Sequence, residues 1–180
     1  MAAGRLLSVA PSLQRRGARA SSKLTILLMN RRPDPHGDFA PSAVAAVREI
    51  YAELATRPVE RQCVRRTECC QFKLTGLTPY LTKGEALVAA RAVRASGRRQ
   101  LPATVNGACP MLEHHSGRCL IYADRPFGCR THFCAAAGGP LARRDVVDLI
   151  RRLETIDAQL EGDGPRKLPG AIAAALQEIA

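Results

Sequence analysis

Apolar residues along this chain recur at helical spacing in three stretches and lose that rhythm between them. Val44, Val47, Tyr51 and Leu54 repeat on one face after Pro41 and before Pro58, which predicts a helix over about 41–57. Thr82 and Glu85 form a capping-box pattern, opening a second helix through Leu87, Ala90 and Val93 that stops near Gly97. From Pro140 onward, Val146, Leu149, Ile150, Leu153, Ile156 and Leu160 share one face of a third helix, with the pairs Arg143/Arg144 and Arg151/Arg152 opposite. Gly162 to Pro169 breaks the pattern before a short terminal helix from Ala171 to Ile179. Between the second and third helices the chain is polar and irregular from Arg98 to Ala108. A tight turn around Ser116-Gly117 then leads into Cys119–Tyr122, a short β-like arm.

Composition narrows this picture. At 180 residues, with abundant aliphatic and few aromatic side chains, the chain suits one mainly helical domain. No apolar run approaches the roughly 18 residues of a membrane-spanning helix, and Leu24–Met29 falls short of a secretory core. The net charge of +11 is unevenly placed. Residues 1–32 hold seven Lys/Arg and no acid, which reads as a disordered basic leader, with Met29 as an alternative start. Residues 33–180 then form the single domain. Within it the excess of positive charge falls on residues 60–135, twelve basic against five acidic.

That basic region also holds all seven cysteines: Cys63, Cys69, Cys70, Cys109, Cys119, Cys129 and Cys134. Core packing would scatter such residues, whereas here they sit among Pro, Gly and Arg. A disulfide framework fits poorly, because the count is odd, no export signal is evident and the chain exceeds the usual small stapled scaffolds. The expected setting is a reducing one, the cytoplasm. Thiolates are soft ligands and select zinc, cuprous copper or iron–sulfur clusters over magnesium or calcium. All seven are therefore the expected metal ligands, and metal ion is the expected partner. Arg61, Arg65, Arg66, Arg118, Arg125 and Arg130 lie among them, placed to favour the deprotonated form. The same charge raises a nucleic-acid-binding zinc module as a further reading. The scarcity of stacking aromatics and of any C-x2-C pair argues against it. Adjacent Cys69 and Cys70 should diverge and serve different centres. Glu85 is accounted for by capping alone. The fold expected is mainly α: a small helical bundle with a cysteine-rich, metal-stapled loop region and at most a short β-hairpin.

Four segments in order, CVRRTECC with Phe72, then Pro79-x-Leu81-Thr82-x-x-Glu85, then Cys109-Pro-Met-Leu, then CLIYADRPFGCR from Cys119 to Arg130, resemble the YkgJ-type cysteine-cluster family. The resemblance spans about Cys63 to Cys134 and implies chelation of zinc or iron. The family begins C-x2-C-x2-CC and carries eight cysteines; here Arg65 and Arg66 stand near the place of the second. His132, two residues before Cys134, is the nearest substitute donor. A flagellin lysine methylase shares the cysteine domain, so an iron–sulfur-dependent enzyme acting on a protein is the alternative that the resemblance leaves open. Against it, the chain has no G-x-G-x-x-G, P-loop or H-E-x-x-H motif. No client protein can be named from these residues.

Overall fold

The computed structural model describes residues 39–58, 61, 63 and 66–180. The basic leader expected over 1–32, His36 and Arg65 lie outside the described residues. Six α-helices are present among the described residues: α1 (Phe39–Thr56), α2 (Phe72–Thr75), α3 (Lys83–Ala95), α4 (Phe127–Thr131), α5 (Val147–Gln159) and α6 (Leu168–Glu178). Four two-residue strands accompany them: β1 (Tyr80–Leu81), β2 (Leu112–Glu113), β3 (Arg118–Cys119) and β4 (Arg166–Lys167).

α3 is the centre of the bundle, packed by α1, α5 and α6. Its run of Ala86, Leu87, Val88, Ala89, Ala90 and Val93 is buried almost all round, which requires partners on several sides. The capping box forms as the sequence predicts. Thr82 Oγ1 accepts from the Glu85 amide, and the Glu85 carboxylate accepts from the Thr82 amide. Such a cap is worth about 1 kcal/mol. Val44, Val47, Tyr51 and Leu54 of α1 are all buried, as are Leu149, Leu153 and Ile156 of α5, so both stripes face the core that the pattern implied.

Boundaries differ where long-range bonds decide them. The third helix was expected from Pro140, but α5 begins at Val147. The Leu141 amide donates to the Thr131 carbonyl at 2.8 Å, which ties this stretch to α4, and Arg143–Asp145 makes only a 3₁₀ turn. The β-like arm after Ser116-Gly117 is the hairpin β2–β3, with Leu112 opposite Cys119 and Gly117 at φ 64° in the turn. Its last residues depart from strand, since Tyr122–Asp124 is a 3₁₀ turn. A second antiparallel pair, β1 with β4, joins segments far apart in the chain, Tyr80 facing Lys167. No local pattern announces that pair.

Candidate metal centre

Four pieces of chain present five of the cysteines, Cys69, Cys70, Cys109, Cys119 and Cys129. The Glu68–Cys70 3₁₀ turn starts from Thr67 in the left-handed region, φ 60°, and its backbone is stitched to the next piece by the Cys109 amide, which donates to the Cys70 carbonyl at 2.7 Å. Cys109 is buried in the apolar core. Cys119 ends β3, its register fixed by the hairpin. Cys129 lies on α4, where its amide donates to the Pro126 carbonyl at 3.0 Å. α4 is itself anchored, because the Phe127 amide donates to Glu85 Oε1 at 2.8 Å.

These pieces enclose one cavity of about 340 Å³, lined by Cys63, Cys69, Cys70, Cys109, Cys119 and Cys129. Met111, Leu112, Ile121 and Leu168 supply apolar wall, and Arg125 joins the lining. A second cavity, of about 320 Å³, is also bordered by Cys69, Cys70, Cys109 and Cys129 and adds His132. Cys134 borders neither; it precedes the Ala135–Ala137 turn, where its carbonyl accepts from the Ala137 and Gly139 amides. His114 and His115 are exposed in the hairpin turn. All seven cysteines are free thiols.

The sulfurs of Cys69 and Cys70 lie 3.9 Å apart, so the neighbours converge where divergence was expected. Two thiolates on one tetrahedral zinc, each at about 2.3 Å, would stand about 3.8 Å apart. Yet among the described residues no group of three or more His, Cys, Asp or Glu is disposed to hold a metal ion as it stands. The thiols ring a cavity; they do not meet at a point.

Protonation follows from this crowding. The Cys70 thiol is pushed up to about 12, first by its contact with the Cys109 thiol and then by burial. Cys69 is raised chiefly by the neighbouring Cys70 thiol, while Cys119 and Cys129 are raised chiefly by burial. Arg125 acts in the expected direction, lowering Cys69 and Cys119, but burial and sulfur–sulfur proximity outweigh it. Arg130 serves backbone: its Nε donates to the Arg125 carbonyl at 2.8 Å, its Nη2 donates to the Ala123 carbonyl, and its guanidinium lies 4.3 Å from the Tyr51 ring centre. Arg125 stacks on Tyr122 at 4.3 Å, and its buried Nε has no hydrogen-bond partner among the described residues.

The sequence model of the CxxCxxCC family, described as a "putative zinc- or iron-chelating domain", matches residues 61–151, half of the chain. The chain belongs to the CxxCxxCC family. This is the cysteine-cluster family that the motifs resemble. Neither a curated protein nor a solved structure matches the chain. Laid on the CxxCxxCC pattern, Cys63 is the first cysteine, Cys69 and Cys70 are the final pair, and Arg66 occupies the second cysteine's place. Arg66 is exposed and paired with Glu68 at 2.8 Å. The departure replaces a sulfur by a surface ion pair.

The donor set suits a soft cation in kind. Six cysteines line one cavity with apolar walls, and a buried guanidinium nitrogen without a partner among the described residues belongs to the same lining residue that favours thiolate at Cys69 and Cys119. Sequence reasoning missed the wider role of Glu85, which accepts from Thr82 and Phe127 and from the Tyr51 hydroxyl at 3.4 Å. Its signal was present only as the spacing of a cap.

Proposed function

We propose that this chain binds zinc or iron through Cys63, Cys69, Cys70, Cys109, Cys119 and Cys129, with the site contained in residues 33–180. One observation carries this reading: six cysteines, from five segments of the chain, border a single cavity in a CxxCxxCC domain. When bound, the metal supplies the positive charge that keeps thiolates deprotonated against burial. The chain's own part is positional. Glu85 fixes the start of α4 and hence Cys129, the Cys70–Cys109 backbone bond holds two segments together, and Met111, Leu112 and Ile121 supply an apolar wall. Arg125 offsets negative charge. Because the thiols have yet to close on a common point, metal affinity would register directly as stability of these loops. The free thiols suit a reducing compartment such as the cytoplasm.

Purification without oxygen, followed by elemental analysis and an optical spectrum, tests this. Stoichiometric zinc or iron is expected, with an absorption band near 400 nm if the iron is held as a sulfur cluster. Cys69→Ser, Cys119→Ser and Cys129→Ser should each lose most of the metal, and Cys134→Ser should lose least. Protein that is folded, metal-free and indifferent to chelator would overturn the reading.

A further inference from the structure

A hollow of about 200 Å³ opens beside the cysteine cavity and shares Arg125 with it. Arg57, Arg61, Arg125 and Arg130 all line it, each half-buried, and among the described residues no carboxylate does. The remaining wall is largely apolar, from Leu54, Phe133 and Leu141. Arg57 is neutralised, since its guanidinium pairs with Asp148 and Glu53. The other three make no ion pair among the described residues. Arg61 donates Nε to the Gly138 carbonyl at 3.0 Å, and Arg130 donates to the Arg125 and Ala123 carbonyls. Carbonyls orient a guanidinium without cancelling its charge. Asp124, whose charge reaches Arg130, is itself taken by Arg48 at 3.0 Å. Even with Arg125 assigned to the thiolates, Arg61 and Arg130 remain without an ion pair among the described residues around one concavity.

Like charges held partly out of water are costly unless an opposite charge joins them. Guanidinium forks match the oxygens of phosphate and carboxylate, and the planar geometry makes that pairing specific. We propose that this arginine-lined hollow binds a small oxyanion, a phosphate or carboxylate group, next to the cysteine cavity. Its volume lies below the roughly 300–1,000 Å³ of sites for drug-sized ligands, which limits the occupant to one such group on a short carbon skeleton.

The test is calorimetric titration of the full chain with inorganic phosphate and with succinate, at ionic strength matched by sodium chloride. One or both should saturate at one per chain. Phosphate alone assigns a phosphate ligand and succinate alone a carboxylate. Arg61→Gln should weaken binding at least tenfold, and Arg61→Lys, which keeps the charge but not the fork, by less. Arg143→Gln, exposed and outside the hollow, should change nothing. Absence of saturation by either anion overturns the proposal, as does equal weakening by Arg61→Gln and Arg143→Gln, which would reveal diffuse charge. Metal is measured on the same samples. Metal-loaded protein that ignores both anions would sink this proposal and leave the chelation reading standing.

Discussion

Glu85 is 3% exposed and receives hydrogen bonds from two backbone amides, of Thr82 and Phe127, and from two hydroxyls, of Thr82 and Tyr51. Those bonds favour its charged form, yet burial dominates and raises its pKa above the ordinary value near 4.5. The native state therefore holds this proton to higher pH than the unfolded chain does. Its contribution to stability is greatest below about 4.5 and is lost as pH rises through the native value. Urea unfolding of wild type and Glu85→Gln across pH 4–8 should show a falling component that the variant lacks. Glu85→Ala should cost about 3 kcal/mol, because it strands amides that no water reaches. It should also loosen Cys129, two residues beyond the Phe127 amide.

Among the elements, α3 is the most tightly constrained. A Cβ built at Gly84 would stand 3.0 Å from both Ile156 Cγ2 and Val47 Cγ2, on α5 and α1. Both neighbours are β-branched and stiff at χ1, so neither can swing aside. Gly84→Ala should therefore destabilise by about 1–2 kcal/mol, since overpacking outweighs the gain in helix propensity; thermal unfolding of the variant checks this. The helices themselves were legible. The Val44–Leu54 stripe, the Thr82/Glu85 cap and the Leu149–Ile156 stripe each state a local preference that tertiary structure kept. What escaped was settled at a distance. The Leu141–Thr131 bond delays the start of α5, and the β1–β4 pair depends on where α6 docks. Asp157 is similar: its carboxylate accepts from the Lys83 amide at 2.6 Å and the Gly164 amide at 3.1 Å, joining α5 to the start of α3.

For the molecule as a whole, helices and cysteine loops share one apolar cluster that runs from Val47 and Ile172 to Cys109, Met111 and Phe127. That six cysteines border one cavity was foreshadowed by their grouping within residues 63–134, which core packing does not explain. The arginine hollow was not, because Arg57, Arg61, Arg125 and Arg130 become neighbours only once α1 and α4 are packed. Exposure grades the thiols around their shared cavity: Cys63 is open to solvent, four others are half-covered, and Cys109 is 6% exposed. That gradient amounts to a timetable for covalent labelling. In the reduced, metal-free chain, iodoacetamide should mark Cys63 within the earliest mass-spectrometric time points and Cys109 only as the fold opens, so the innermost sulfur reports unfolding while the outermost reports the solvent.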